Sequence, residues 1–223
     1  FSKMNRFLFL NNPGLNMNRP DHLLAADEQA VSLYEVVNKY EEQIPDYSTN
    51  INIDYSDFQF TDEGPVCDIA EISEGLLHLR AVEDIGLKNA AIAEFHKKIS
   101  RNSNIMFSIK FGEYFNSQHP LGRFKFLSQN FNNGIDFLVW NDRYEYSIPE
   151  NGIHNYHQLK RFTFSTDQYY TFRYHLKSDV IDVYLNNILF SSVNYTNELP
   201  DPCILFFESH NEFWIKDFKV YID

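Results

Sequence analysis

Residues 181–190 read Ile181-Asp182-Val183-Tyr184-Leu185-Asn186-Asn187-Ile188-Leu189-Phe190. Ile181, Val183 and Leu185 alternate with Asp182 and Tyr184, which is the period of a strand buried on one face. The two asparagines can adopt the positive φ angles of a tight turn, after which Ile188 to Phe190 returns as the partner strand. The stretch therefore predicts a β-hairpin with its core side already marked.

The same period of two recurs on either side. Ile51 to Tyr55, Gly75 to Arg80, Ile105 to Phe111, Arg123 to Leu127 and Ile135 to Trp140 read as strands. So do Arg161 to Ser165, Tyr170 to Leu176, Val180 to Leu185, Ile204 to Phe207 and Trp214 to Ile222. Asn, Gly, Asp and Pro clusters separate them, a spacing that predicts a two-sheet antiparallel sandwich. Residues 89–99 suit either a strand or a short helix. Composition agrees with the all-β reading, since 21 Phe and 14 Tyr favour pleated, half-buried surfaces. A chain of 223 residues is long enough for one well-buried core.

The first 50 residues follow another rule. Asn11-Asn12-Pro13-Gly14 and Pro20 break up residues 1–20 into an irregular arm. Leu23, Ala26, Ala30, Leu33, Val37, Tyr40 and Ile44 then recur at spacings of three and four, so an amphipathic helix is expected up to Pro45. It could pack on the sandwich or act as a short coiled-coil or partner-binding helix. The expected organisation is an arm and helix over 1–50 and a sandwich over 51–223.

Charge and apolar runs exclude some partners. Nineteen Lys plus Arg against 31 Asp plus Glu give a formal charge of −12, a field that opposes binding to nucleic acid. No apolar run approaches the roughly 20 residues that span a bilayer, so no membrane insertion is expected. Phe7-Leu8-Phe9-Leu10 is too short for a signal-peptide core, and any leader is expected to have been removed already. Cys67 and Cys203 lack the clustered spacing of a zinc or redox site, and they could be one disulfide or two separate thiols. Asn194-Tyr195-Thr196 fits a glycosylation acceptor, which matters only in a eukaryotic secreted protein.

The order of the later segments resembles a known family. Tyr169 to Tyr174, then Ile181 to Asn186, then Phe213-Trp214-Ile215-Lys216-Asp217-Phe218-Lys219-Val220-Tyr221 resemble the concanavalin A-like lectin/glucanase jelly roll, with a LamG- or laminarinase-like layout over roughly residues 52–223. Asn187 stands where many relatives have glycine, which asparagine can replace in the left-handed region. The resemblance implies glycan binding on a concave sheet face and an extracellular, periplasmic or cell-surface setting. It also implies that Asp217 could contribute to a structural Ca²⁺ site, although one oxygen ligand is far from the usual six to eight. Laminarinase-type members carry two glutamates flanking an aspartate at alternate positions. No such stretch occurs here, and the spacing of three in Asp68-Ile69-Ala70-Glu71 puts its carboxylates on opposite strand faces.

Alternation also nominates candidate ligand-binding residues. With Phe107, Ile109 and Phe111 inward, Lys110 points outward; with Phe124 and Phe126 inward, Arg123 and Lys125 do. By the same rule Asp136 and Trp140, Arg173 and His175, and Tyr184 face away from the core. Read as one sheet face, Trp140, Arg173, His175, Arg123, Lys125, Lys110, Asp136 and Tyr184 would suit an anionic polysaccharide, through ring stacking and forked guanidinium pairing. Solvated strand residues with long apolar stems account for the same pattern.

Residues 140–152 read as a polar rim loop that could hold a ligand or serve as an ordinary turn. Three functions are consistent with these features: a non-catalytic lectin-like module, a polysaccharide lyase or glycoside hydrolase of the same fold, and a protein-interaction domain using residues 21–44. A lyase would need Arg173, His175, Tyr184 and Arg123, or groups like them, around one sugar ring.

Overall fold

The computed structural model describes residues 50–51, 55–63, 67–81, 90–115, 117–128, 133–150, 153–166, 168–195 and 199–222. The expected arm and the helix over 21–44 lie outside these residues. What is described is a two-sheet antiparallel jelly-roll sandwich, as the alternation predicted.

One sheet has eight strands. β13 (Ile188–Asn194), β12 (Val180–Leu185), β11 (Tyr169–Leu176), β6 (Ser103–Phe111), β15 (Glu212–Ile222), β4 (Leu76–Ala81) and β3 (Cys67–Ser73) lie side by side, and the short β1 (Asn50–Ile51) adds to β15. The other sheet has seven, in the order β10 (Ile153–Arg161), β9 (Arg143–Glu150), β8 (Gly134–Val139), β7 (Gly122–Leu127), β14 (Cys203–Ser209), β5 (Ala90–Ile99) and β2 (Phe58–Glu63). Of the ambiguous stretch 89–99, Ala90–Ile99 is thus strand.

Two local readings need correction. The expected loop over 140–152 is mostly strand: only Asn141 and Asp142 turn before β9 begins, and Trp140 N donates to Arg143 O at 2.8 Å to close that turn. The expected strand over 161–165 is irregular beyond Arg161, because β10 ends there and Phe162 and Phe164 bond back to the 141–142 turn. Of the expected strand over 51–55, Ile51 belongs to β1, 52–54 lie outside the described residues, and Tyr55–Asp57 forms a 3₁₀ turn.

The core is an aromatic layer between the sheets. Phe107, Phe172 and Tyr174 come from the eight-stranded sheet; Phe124, Phe137, Tyr144 and Phe207 come from the seven-stranded one. Phe107 lies 5.1 Å from both Phe124 and Phe207 in edge-to-face contact, the arrangement that ring quadrupoles favour. Two phenols stand among these rings, and each supplies what the other needs: the Tyr144 and Tyr174 hydroxyl oxygens meet at 2.9 Å across the sheets. That bond removes the cost of burying either hydroxyl alone.

The opening hairpin forms as its sequence dictates. Asn186 and Asn187 sit at φ 51° and 66° between β12 and β13. Asn186 also ties the turn to the next strand, its Oδ1 accepting from Thr171 N at 2.9 Å while its N–H donates to Thr171 O. Gly134 opens β8 at φ 148°, and a Cβ there would stand 2.0 Å from Phe126 O, so only glycine fits. Cys203 is a buried free thiol.

Two predictions follow from these details. Asn187→Gly should leave stability within about 0.5 kcal/mol, whereas Asn187→Val should lower it by about 1–2 kcal/mol, because a β-branched residue resists positive φ; urea unfolding of both variants decides it. The second concerns alkaline pH. Burial pushes the Cys203 thiol and the Tyr195 phenol up to about 12, while the same groups in an unfolded chain ionise near ~8.5 and ~10. The folded state therefore keeps protons that the unfolded state releases. Stability is full below about pH 8.5 and falls as pH rises toward 12, by up to about 1.4 kcal/mol per pH unit for each group. Cys203→Ala should remove the part of the decline that begins first, and a stability flat to pH 11 (about one unit above a free phenol's value) would refute the account.

Candidate functional site

Each sheet turns one face to the core and one away from it, so the molecule has two outer faces. The predicted site residues divide between them. Lys110 on β6, Arg173 and His175 on β11, and Tyr184 on β12 share the outer face of the eight-stranded sheet. Arg123 and Lys125 on β7 and Asp136 on β8 share that of the seven-stranded sheet, with Trp140 just past the end of β8. A single face bearing all eight is therefore ruled out. Alternation tells inward from outward but not which sheet a strand joins. The same division separates Arg123 from Arg173, His175 and Tyr184, so those four cannot surround one sugar ring as a lyase would require.

On the seven-stranded sheet, cross-strand register arranges the outward side chains in rows. One row runs Gln59, Glu94, Phe206, Lys125, Asp136, Ser147 and Tyr156 from β2 to β10. The next runs Ile92, Glu208, Arg123, Leu138, Glu145 and Gln158. At the centre, Arg123 forks between two carboxylates: Nε and Nη2 donate to Asp136 Oδ2, and Nη1 donates to Glu208 Oε1 at 2.7 Å. Lys125 donates to the other Glu208 oxygen, and His210 Nε2 lies 2.8 Å from Oε1. His210 in turn stacks on His119 at 4.4 Å.

The two carboxylates are buried, yet their affinities for a proton diverge. Burial pushes the Asp136 carboxyl up, and the Arg123 charge only partly offsets it. For Glu208 burial acts the same way, but the His210 hydrogen bond and the charges of Arg123 and Lys125 outweigh it and hold the group well below the usual carboxylate range. Asp136 Oδ1 and Trp140 Nε1 have no hydrogen-bond partner among the described residues. The Arg143 guanidinium lies 4.2 Å over the Trp140 ring and is itself held by Glu145 at 2.6 Å.

Toward β10 the face opens to solvent. Tyr156 is 56% exposed, beside His154, whose Nδ1 meets Ser147 Oγ at 3.1 Å. Sequence reading missed Glu208, His210 and Tyr156. Glu208 lies one residue past the predicted strand 204–207, and extending the alternation by that residue would have turned it outward. Tyr156 carried no signal, because β10 is polar on both sides.

On the other outer face, Arg173 packs its guanidinium 3.6 Å from the Tyr184 ring centroid and Lys110 lies over Trp214. Asp217 is exposed at φ 55°, in the bulge where β15 passes from its β4 pairing to its β1 pairing. Among the described residues, no group of three or more His, Cys, Asp or Glu side chains gathers there or elsewhere to hold a metal ion.

No protein-family model matches the sequence, and no curated protein matches it. Solved structures do match in shape. The metal-free carbohydrate recognition domain of Emp46p superposes with a TM-score of 0.57 at 13% identity, over 74% of this chain and 88% of that one. The apo Crh5 transglycosylase gives 0.56 at 9%, over 80% and 82%. An inactivated mutant of β-agarase B in complex with agaro-octaose gives 0.50 at 9%, over 68% and 77%. At such identities the likeness concerns the fold alone, and it agrees with the strand order and the hairpin: the chain has the two-sheet jelly-roll fold.

Proposed function

We propose that the protein is a carbohydrate-binding module and that the outer face of the seven-stranded sheet takes a neutral oligosaccharide or polysaccharide chain. The observation that carries this reading is the row Lys125, Asp136, Ser147, Tyr156, with Arg123 and Glu208 beside it. It runs from a fixed polar cluster to an exposed aromatic ring. Sugar hydroxyls need donors and acceptors held in place, together with a flat apolar surface for the ring face, and such sites gain affinity from being ordered before the ligand arrives. The carbohydrate recognition domain and the agaro-octaose complex among the similar folds lend support.

The reading refines the expected anionic ligand for this face. Arg123 and Lys125 already meet the carboxylates of Asp136 and Glu208, so little positive charge remains to attract an acid. A hydrolytic reading has one observation in its favour: a carboxyl held toward its acid form stands in the same cluster as one held ionised, the division of roles that glycoside hydrolysis uses. Binding is preferred because both carboxylates are engaged by one guanidinium and buried. A glycan ligand would go with the extracellular or cell-surface setting expected from the sequence.

Calorimetry with neutral oligosaccharides, agaro-octaose and β-glucan fragments among them, tests the proposal. Tyr156→Ala should weaken the best ligand about tenfold, the size of one lost ring contact, with stability changed by less than about 0.5 kcal/mol. Absence of any neutral ligand, or equal affinity in the Tyr156→Ala variant and in Asn194→Ala on the opposite sheet, would sink it; release of new reducing ends would move the case to the hydrolase. A companion measurement concerns the cluster itself. Arg123→Met should cost about 3–5 kcal/mol, because it leaves the buried Asp136 carboxyl without its guanidinium while Glu208 keeps Lys125 and His210, and an additional Asp136→Asn change should recover part of that loss.

A further inference from the structure

We propose that the outer face of the eight-stranded sheet is a second binding surface, and that its ligand is an acidic polysaccharide carrying carboxylate or sulfate groups. The face differs in chemistry from the one described above. Where Arg123 and Lys125 are neutralised by buried carboxylates, Lys110, Lys216 and Lys219 make no salt bridge to any described residue. Two of the ammonium groups lie instead over aromatic rings, Lys110 Nζ 5.8 Å from the Trp214 centroid and Lys216 Nζ 4.2 Å from that of Tyr169, and Lys219 is exposed.

Register explains how these groups come to lie together. Trp214 pairs with Lys110, and Lys110 with Tyr169, across β15, β6 and β11. Lys216 falls on the next outward position of β15, opposite Ser108. Lys219 follows beyond the bulge, opposite Met106, which itself faces Arg173. Neighbouring outward positions in a sheet lie about 5–8 Å apart, so the cations form a regular array rather than a single pocket. A polymer with an acid group on each repeat can engage several at once; a lone anion cannot.

The acidic groups on this face do not cancel the array. Glu212 is taken up by His78 at 3.0 Å and Arg80 at 4.0 Å, and Asp182 by Lys177 at 2.5 Å and by Ser192. Asp217 and Glu71 are exposed, at the bulge and on β3. Among acidic polymers, a polysaccharide is favoured over a nucleic acid because Tyr169 and Tyr184 each carry a cation against the ring, and Trp214 stacks on His78 at 4.7 Å, which leaves little open ring face for unstacked bases.

The experiment uses the full chain and three probes: a heparin oligosaccharide, an oligogalacturonate, and single-stranded DNA. At low salt at least one of the two acidic oligosaccharides should bind, with affinity that falls as salt rises. The Lys110→Gln/Lys216→Gln double variant should weaken it about tenfold, whereas Lys160→Gln, on the opposite sheet, should change it by less than about twofold. Neutral-oligosaccharide binding should be unaltered in the double variant, so the two faces are read separately and either can fail alone. Failure of both acidic oligosaccharides to bind, equal binding by the double variant, or tighter binding of DNA would overturn the proposal. So would an effect of Tyr156→Ala on acidic binding equal to that of the double variant, since the ligand would then lie on the other face.

Discussion

The aromatic layer around Phe107, Phe124, Phe172, Tyr174 and Phe207 holds the two sheets face to face, and the surface chemistry depends on it. Stacked sheets lie about 10 Å apart, a gap that phenyl rings from both sides fill. Turning a ring inward at one position turns its neighbour outward at the next. Phe124 and Phe126 thus place Arg123 and Lys125 on one outer face, and Phe172 and Tyr174 place Arg173 and His175 on the other. Stability and site are built from alternate residues of the same strands, so they can be varied almost independently.

This arrangement also sets what the sequence could reveal. The core was legible in β6, β7, β8, β11 and β12, where every residue assigned inward is buried, even though Leu138 interrupts the alternation of β8. The Asn186-Asn187 turn was legible because positive φ is a local property. Sheet membership was not, because pairing partners are chosen by contacts distant in sequence. Glu208, for example, pairs with Arg123, 85 residues away. The expected single face therefore became two half-sites on opposite sides. β10 was hidden for another reason: at the sheet edge its side chains are mostly exposed and its sequence loses the alternation. β9 does alternate, Tyr144, Tyr146 and Ile148 against Arg143, Glu145 and Ser147, but its polar content reads as a loop.

Charge is distributed with equal economy. An isolated buried carboxylate is costly, and the Arg123 fork keeps that cost low for two of them while fixing the relative positions of β7, β8 and β14. A buried ionic cluster of this kind contributes more to order than to net stability. The opposite face leaves Lys110, Lys216 and Lys219 without a carboxylate partner among the described residues, so their charge remains available. One acidic chain can thus present a neutral, preordered face and a basic, adaptable one.

Among the described residues β10 ends its sheet, pairing with β9 alone. The other edge of this nine-residue strand is a row of backbone donors and acceptors that a second copy could extend. His154, Asn155, His157, Gln158, Lys160 and Arg161 stand along it, mostly exposed. Side chains of this kind make strand addition unfavourable, since like charges would oppose one another across the new pair. A protein that gathers in many copies along one polymer meets its own kind at high local concentration, and this edge would let it crowd there without fusing into a continuous sheet.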